Sequence, residues 1–451
     1  MKTSDREKII ILSFTLVVVM LGFGMVIPIF PFYIEHLGAS GSELGLLVAT
    51  SALLEFLFAP VWGGVSDRIG RKPVLMLGML GYALSSLLFG LSTQLWMLFA
   101  SRALSGILSS ATLATALAYI GDSTSEEDRG GGMGILGAAM ALGVILGPGL
   151  GGWLAGESLS TPFFFAAGLS LVSLLLILFL LPESLPVEAR QPFDPSTGLR
   201  AGLAQDKRTE GKVSTVQLGE LWPALFSPIG VLLLMVSLFS FALTNFEAIF
   251  GLYALEKFGY GPERVGAILM VVAIVSTVGK GALTGPATKR WGEAMVIKVS
   301  LLAGSVGFAV LLLANTYVTI LLATGFFILS KTLLRPAAFS LISKRATPST
   351  ALRPFDGVYP EQSRRAQGRL GSGQGSGHRL GQGVAMGLSN SFMSLGRIAG
   401  PIWAGFIFDV NVNYPYLSGS VIMFIGFLIS LVWVSQGGKE TTGAELRPAA
   451  D

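Results

Sequence analysis

Long apolar runs separated by short polar connections occupy almost the whole 451-residue chain. Several runs reach or exceed the roughly 18 consecutive apolar residues that are typical of a membrane-spanning helix. We therefore predict an all-α integral membrane protein with twelve transmembrane helices. The predicted spans are residues 9–33, 44–63, 73–91, 95–120, 131–154, 162–181, 227–255, 262–284, 295–314, 317–342, 383–408 and 414–434.

The polar segments divide these spans into two sets of six. The predicted organisation is an N-terminal six-helix bundle over 1–181, a cytoplasmic linker over 182–226, a C-terminal six-helix bundle over 227–434 with an inserted cytoplasmic loop over 345–382, and a cytoplasmic tail over 435–451. Within the insertion, residues 350–380 are rich in Gly, Ser, Arg and Gln, which is typical of disordered segments. A short amphipathic or regulatory element is the alternative.

Charge is scarce and unevenly placed. Only 13% of the residues are charged, against roughly 25% in soluble domains. With the N-terminus inside, 24 of the 31 Lys and Arg residues fall on the inner side and only Lys257 and Arg264 on the outer side. The positive-inside rule then predicts that both termini are cytoplasmic. The basic excess reports orientation and predicts no nucleic-acid partner.

Several chemistries are excluded by composition. The chain has no cysteine and only two histidines, His36 and His378, both in predicted loops. A disulfide, a thiolate metal site and a histidine-rich metal cluster therefore cannot form. The sequence also lacks the G-x4-G-K-[ST] phosphate loop. We predict no metal, no cofactor and no enzymatic activity, and an ATP-driven pump is disfavoured.

The two halves of the chain repeat each other. Gly63, Arg68 and Gly70 of "GGVSDRIGRK", residues 63–72, return 222 positions later as Gly285, Arg290 and Gly292 of "GPATKRWGE", residues 285–293. The stretches "GILGAAMALGVILGP" and "GLSNSFMSLGRIAGP", at 134–148 and 387–401, share the spacing G-x8-G-x3-G-P at an offset of 253. Two bundles related by a pseudo-two-fold repeat are typical of secondary transporters, whose substrate site lies near the midplane.

These motifs resemble those of the major facilitator superfamily, and within it the twelve-span drug:proton antiporters of bacteria. "GGVSDRIGRK" resembles the family's loop 2–3 signature, "RALSG" its span 4 signature, "GILGAAMALGVILGPGLGG" its exporter-linked span 5 signature, and "GFGMVIPIFP" the span 1 signature of drug exporters. The resemblance covers the chain except 182–226 and 350–380. The chain departs from the family pattern in three places. Ser105 stands where the family usually has glutamine, and Lys289 stands at the repeat position of Asp67. Span 1 has no acidic residue. The missing acid disfavours metal–tetracycline substrates.

The resemblance places loop 2–3 where the cytoplasmic ends of spans 2 and 11 approach each other. Asp67 would there meet the positive end of the span 11 helix dipole, an interaction of roughly 0.3–1 kcal/mol. We expect this contact to hold the inner ends together in the outward-open state. The alternative is that these charges only orient the hairpin. The predicted conformational latch comprises Gly63, Asp67, Arg68, Gly70, Arg71 and Lys72.

Spans 5 and 11 each carry a stripe of small residues and a proline. Small residues let helices approach closely in lipid, and proline permits a bend. We expect these helices to form the sliding contacts of a rocking transporter, with tight static packing as the alternative. The predicted gating positions are Gly143, Gly147, Pro148, Gly151, Gly152, Gly396, Gly400 and Pro401.

Ionisable residues at membrane depth are costly and indicate function. Glu247 lies in a polar stripe of span 7, Glu55 lies near the middle of span 2, and Arg102 begins a stripe that continues at helical spacing to Thr112 in span 4. A carboxyl group in an apolar cavity can bind and release a proton during a transport cycle. We therefore predict that Glu247, Glu55 and Arg102 couple transport to protons. A structural ion pair is the alternative for each.

Aromatic side chains in the second half supply flat faces for drug-like compounds. The predicted substrate cavity comprises Glu55, Phe246, Glu247, Phe250, Phe327 and Phe392. The leading interpretation is a proton-coupled exporter of small amphipathic or cationic compounds, working by alternating access. It would be a monomer in the bacterial cytoplasmic membrane, with its substrate, protons and the lipid bilayer as partners. A transporter of a defined metabolite, such as a sugar or a lipid, and a non-transporting receptor or scaffold are the alternatives.

Overall fold

The chain folds into helices in the computed structural model, which describes residues 3–123, 126–185, 229–345 and 382–436. The helices are α1 (Thr3–His36), α2 (Gly41–Ile69), α3 (Arg71–Gly90), α4 (Leu95–Leu104), α5 (Ser110–Ser123), α6 (Glu126–Ala155), α7 (Thr161–Leu180), α8 (Gly230–Phe258), α9 (Pro262–Leu313), α10 (Tyr317–Arg345), α11 (Gln382–Val410) and α12 (Tyr414–Gln436). A π-helical turn, Ser105–Ser109, joins α4 to α5. No strand occurs within the described ranges, and the predicted all-α fold class is confirmed.

Ten helices in the described part of the chain are long and apolar enough to cross a membrane. In this count α4, the π-helical turn and α5 form one helix, and α9 is also counted once. The 52 residues of α9 would extend ~78 Å as one straight helix, far beyond the ~30 Å hydrocarbon layer. A break at Gly292 divides α9 into two parts. Because α11 is not among the ten, the number of twelve spans stays a prediction.

The described helices pack as two groups, which we call the two halves, α1–α7 and α8–α12. One buried apolar cluster lies within the first half, and the largest one continues from the second half into the first. In the first half α1 packs on α6 and α7, and in the second half α8 packs on α11 while α9 packs on α10 and α12. Much of the predicted domain plan between and after these halves lies outside the described residues: positions 186–226 of the linker, 346–381 of the inserted loop and 437–451 of the tail.

Glycines at corresponding positions of the two halves end or break the helices. Helix α2 ends at Gly70, where φ is 109° and ψ is 161°. Helix α9 breaks at Gly292, where φ is 73° and ψ is 156°. Only glycine adopts such positive φ values readily. The similar backbone supports the correspondence that the sequence repeat predicts at an offset of 222 positions.

The two halves meet mainly through α2 with α11 and through α6 with α9. We call the end with the α1–α2 and α8–α9 connections the outer end, and the opposite one the inner end, following the predicted orientation. Near the outer end the backbones almost touch. A Cβ atom on Gly45 would lie 2.2 Å from the carbonyl oxygen of Pro401, and one on Gly152 would lie 2.4 Å from that of Pro262.

Glycines in the inner parts of α2 and α9 make no such close contacts. Cβ atoms added to Gly64 of α2, or to Gly281 and Gly285 of α9, would have no described atom within 4 Å. The halves therefore touch at the outer end and separate toward the inner end. This is an inward-open arrangement.

Candidate coupling and substrate site

Glu247 on α8 pairs with Lys331 on α10, both in the second half. Lys331 Nζ lies 3.5 Å from Glu247 Oε1, and 9% of the lysine side chain is exposed against 36% of the glutamate side chain. Lys280 on α9 brings a further positive charge within electrostatic reach of both residues. Unpaired charges at this depth would be costly, so the pair compensates the Glu247 carboxylate in this conformation.

Glu55 on α2 and Arg397 on α11 form an ion pair between the two halves. Arg397 Nη2 donates to Glu55 Oε2 at 3.3 Å. Sequence reasoning singled out Glu55 but did not assign its partner, because residues 342 positions apart leave no local pattern. Since the pair joins α2 to α11, it must rearrange whenever the halves move apart at this level.

Arg102 on α4 lies near Glu55 in the first half. Its Nη2 donates to Ser51 Oγ at 2.6 Å, and its guanidinium group lies over the ring of Phe30, 4.8 Å from the ring centre. The buried Nε of Arg102 has no hydrogen-bond partner among the described residues. Glu55 is within electrostatic reach. The structure thus brings Arg102 and Glu55 together, whereas Glu247 lies in the other half with its own cation.

The π-helical turn changes the polar stripe that the sequence predicts in span 4. A π-helical turn holds more residues than an α-helical turn, so residues beyond it rotate relative to Arg102. Thr112 is fully buried, and its Oγ1 would lie 2.4 Å from a Cβ atom on Gly78 of α3. Thr112 therefore faces its own bundle, and the prediction of one continuous polar face is wrong. Within the turn, the carbonyl oxygen of Ile107 accepts a hydrogen bond from Trp62 Nε1 at 2.5 Å.

The four phenylalanines predicted for the substrate cavity lie in the core of the second half. Phe246 and Phe250 are fully buried, and Phe327 and Phe392 nearly so. The ring centres of Phe246 and Phe327 are 5.1 Å apart, and those of Phe308 and Phe327 are 4.2 Å apart. Because the rings of Phe246, Phe250 and Phe327 pack on one another and Phe392 is only 5% exposed, the four do not line an open cavity in this conformation, and the expectation is corrected accordingly.

Asp67 belongs to a charge network within the first half. Its Oδ1 lies 2.5 Å from Arg71 Nη1, and Arg71 Nε also donates to Asp122 Oδ2 at 2.9 Å. Lys72 Nζ donates to a backbone carbonyl of α7 at 2.8 Å, and Arg68 lies in the last turn of α2. These partners all belong to one half, as expected while the inner ends are apart. The latch with α11 stays a prediction for the outward-open conformation.

The glycine stripes of α6 and α11 pack mostly within their own halves. Cβ atoms on Gly143, Gly147 and Gly151 would lie 2.6–2.7 Å from backbone atoms of α1. Those on Gly396 and Gly400 would lie 2.3–2.5 Å from backbone oxygens of α8. Most of each stripe therefore serves close packing inside one bundle.

The glycine and proline contacts of these two helices with the other half lie in their outer turns. Gly152 and Pro148 of α6 contact α9, and Pro401 of α11 contacts α2 at Gly45. The predicted sliding role is therefore confined to these positions, which remain gating candidates.

A carboxylate that sequence reasoning missed joins the halves at the outer end. Asp409, near the end of α11, accepts hydrogen bonds from Gly41 N at 2.7 Å and from Ser42 N at 2.9 Å, and from the Ser42 hydroxyl. These N–H groups lie at the N-terminus of α2, where the helix dipole is positive. Nothing around Asp409 signals this role, because its partners are 367 and 368 positions away.

The described residues hold no group of three or more His, Cys, Asp or Glu side chains that could bind a metal.

The sequence model of the Major Facilitator Superfamily matches residues 12–353 of the chain. The chain is 31% identical over 436 residues to multidrug resistance protein 2 of Bacillus subtilis (strain 168), which covers 96% of this chain and 97% of that protein. It is 26% identical over 428 residues to quinolone resistance protein NorA of Staphylococcus aureus (strain COL), with coverages of 95% and 96%.

Solved structures share the fold. A bacterial homologue of the human lysosomal transporter Spinster, in an inward-facing and unoccupied conformation, matches with a TM-score of 0.68 at 13% identity over 96% of each chain. At this identity the likeness shows the fold alone.

Proposed function

Since this chain belongs to the Major Facilitator Superfamily, we propose that it is a proton-coupled exporter of small amphipathic, drug-like compounds that works by alternating access. Similarity to a multidrug resistance protein and to a quinolone resistance protein over almost the whole chain supports the export of drug-like compounds. One structural observation carries the mechanism. Both acids at membrane depth are paired with cations, Glu247 with Lys331 inside one half and Glu55 with Arg397 between the halves.

The inward-open conformation corresponds to the stage at which a compound binds from the inner side. Glu247 is then compensated by Lys331, as an acid that has released its proton to the inside would be. The pair lowers the cost of holding a carboxylate at this depth. The empty, deprotonated transporter is therefore stable with its inner end open.

The outward-open conformation is the stage at which a proton binds from outside. Protonation of Glu247 removes its attraction to Lys331, so the two side chains can separate. Closing the outer end around the protonated acid carries the proton inward, and the pair expels the proton when it forms again. Glu247 thereby alternates between two partners, the proton and Lys331.

The Glu55–Arg397 pair links this exchange to the movement of the halves. It crosses from α2 to α11, so opening the outer end stretches or breaks it. Arg102 lies within electrostatic reach of Glu55 and offers a second cation when Arg397 moves away. Glu55 can therefore remain compensated in both conformations. We place the protein, as a monomer with both termini cytoplasmic, in a bacterial cytoplasmic membrane.

The test uses pH-driven dye efflux from proteoliposomes that contain the full-length protein. Glu247→Gln mimics the permanently protonated acid and should abolish pH-driven efflux while leaving the binding of uncharged compounds intact. Glu55→Gln should reduce efflux more mildly or change which compounds are accepted. Glu35→Gln is the matched control, because Glu35 is an exposed residue at the outer end of α1. Efflux at the wild-type rate by Glu247→Gln would show that another group couples transport to protons.

A further inference from the structure

Five cations and two acids form one electrostatically connected cluster at membrane depth. Its members are Arg102, Lys280, Lys331, Arg335, Arg397, Glu55 and Glu247. The acids pair with Arg397 and Lys331. For the other three cations, the described part of the chain provides no carboxylate within 4.0 Å. The proposed coupling mechanism gives a role to Arg102 but leaves Lys280 and Arg335 without one.

Lys280 and Arg335 lie at the same depth on neighbouring helices. Each stands 18 residues after the first residue of its helix, Pro262 of α9 and Tyr317 of α10, which corresponds to ~27 Å. The starts of these helices are level, because the rings of Tyr260 and Tyr317 are in contact with centres 5.9 Å apart. In a hydrocarbon layer of ~30 Å, both cations lie close to the inner boundary.

Close packing of α9 on α10 holds the two cations side by side. A Cβ atom on Gly279 would lie 3.2 Å from Thr332 Cγ2, so the helices approach closely next to Lys280. Lys280 and Arg335 are both exposed and within electrostatic reach of each other. Two like charges held together at this depth, with no carboxylate within 4.0 Å among the described residues, are costly, and a bound anion would reduce that cost.

The surroundings suit an amphipathic ligand. The Arg335 guanidinium lies over the ring of Phe339, 5.5 Å from its centre, so an apolar surface adjoins the charge. Arg397 is also within electrostatic reach of Arg335, which extends the positive potential from the inner boundary toward the middle of the membrane. A cleft with charges of one sign and low-dielectric walls concentrates ions of opposite charge.

We infer that Lys280 and Arg335 form an anion-binding site on neighbouring faces of α9 and α10 near the inner boundary of the membrane, which takes the sulfonate, phosphate or carboxylate group of an amphipathic molecule. A transported compound would be one source of this group, and in that respect the inference rests on the proposed function. A phospholipid headgroup is the other source, since basic pockets between transmembrane helices at the cytoplasmic side bind anionic headgroups. The chemistry of the site is the same for both.

The test measures the binding of two dyes to the full-length protein in phosphatidylcholine nanodiscs, by fluorescence anisotropy. Sulforhodamine B is anionic and rhodamine 6G is cationic, and both have a xanthene framework. The wild type should bind sulforhodamine B, and Lys280→Gln and Arg335→Gln should each weaken that binding about fivefold to tenfold. Arg335→Lys should retain most of the affinity. Rhodamine 6G should bind each neutral variant at least as well as the wild type.

Arg264→Gln is the matched control. Arg264 also lies over an aromatic ring, 5.4 Å from the centre of Tyr260, but near the outer end. Its replacement removes a cation–ring contact without touching the proposed site, so sulforhodamine B affinity should not change. Equal sulforhodamine B affinity in the wild type and in a Lys280→Gln, Arg335→Gln double variant that still binds rhodamine 6G would overturn the inference.

A second arm separates the two sources of the anion. If adding phosphatidylglycerol to the nanodiscs weakens sulforhodamine B binding to the wild type but not to Arg335→Gln, headgroups occupy the site. If phosphatidylglycerol has no effect, the site is kept for soluble amphipaths. Both results support an anion site and name its ligand. Because the readout is binding, a failure of pH-driven efflux would contradict the proposed function and leave this site intact.

Discussion

The outer and inner ends of the contact between the halves each contain an aspartate near a helix end, with different outcomes. At the outer end Asp409 of α11 accepts hydrogen bonds from the N-terminus of α2 and joins the halves. At the inner end Asp67 of α2 pairs with Arg71 of its own half. A carboxylate therefore stabilises the contact between halves only where the other half brings free N–H groups within reach. In this conformation the outer end meets this condition and the inner end does not.

The outer end also shows how two related interfaces differ. At the offset of the sequence repeat, the position that corresponds to Asp409 is Gly156, the residue directly after α6. The acidic residue next to this position is Glu263 of α9, the helix that packs against α6. A Cβ atom on Gly156 would lie 2.2 Å from Glu263 Oε1. The α6–α9 interface thus relies on close backbone contacts, whereas the α2–α11 interface adds a charged cap. The repeated scaffold is symmetric, but the interactions that close it are not.

The largest expected effect comes from removing close backbone contact at the outer end. In Gly45→Ala the new methyl group would lie 2.2 Å from the carbonyl oxygen of Pro401, an overlap that should destabilise the closed outer end by about 1–3 kcal/mol. We expect spin-label distances between α2 and α11 at the outer end to lengthen and transport to be lost. Gly64→Ala on the same helix is the control, since it adds a methyl group to open space. Unchanged distances in Gly45→Ala would contradict the packing role.

A smaller effect is expected from the charged cap. Asp409→Asn keeps the shape of the side chain but removes the charge that interacts with the α2 N-terminus, a contribution of about 0.3–1 kcal/mol. The population should shift toward the outward-open conformation, and transport should fall severalfold. Distance distributions between the same label pair measure the shift. A shift toward the inward-open conformation would show that Asp409 does not stabilise outer closure.

Asp67→Asn should act in the opposite direction at the inner end. If Asp67 caps α11 when the inner ends meet, removing its charge weakens the outward-open conformation by a comparable amount, about 0.3–1 kcal/mol. The inward-open population should rise, and transport should fall while substrate binding is retained. Labels on the inner ends of α2 and α11 report the change. Inner-end distances identical to those of the wild type would reject the latch and leave Asp67 as a partner of Arg71 alone.

The smallest effect is expected from the segment that connects α10 to α11 at the inner end. Deleting residues 350–380 shortens one connection, and the cost of closing a loop depends only weakly on its length. Expression, thermal stability and pH-driven efflux should stay close to wild type. A deletion variant that reaches the membrane but transports nothing would show that this segment takes part in the cycle.

Sequence reasoning identified the important charges but not their arrangement. Glu247, Glu55 and Arg102 were recognisable because ionisable residues are rare within apolar runs. Their partners were not assigned, since Lys331 and Arg397 lie on other helices. Asp409 was missed, because an acid next to a connection resembles any surface residue.

Local patterns also misled in two places. The polar stripe of span 4 assumed uniform α-helical spacing, and the π-helical turn at Ser105–Ser109 breaks that assumption without a sequence signal. The phenylalanines of the second half were assigned to the cavity from their type alone. Whether Phe246 faces a ligand or the rings of Phe250 and Phe327 depends on how α8 and α10 pack, which the type of a residue does not specify.

The sequence by itself determined the membrane class, the positions of the apolar helices and the repeated glycines at which the structure ends or breaks helices. These properties depend on hydropathy, helical periodicity and permitted φ values, which act over a few consecutive residues. Only the tertiary structure decided which end of the molecule is closed, which acid pairs with which cation, and that Lys280 and Arg335 lie side by side without an acid. Such pairings depend on distances between helices far apart along the chain, and those distances arise only when the whole bundle packs.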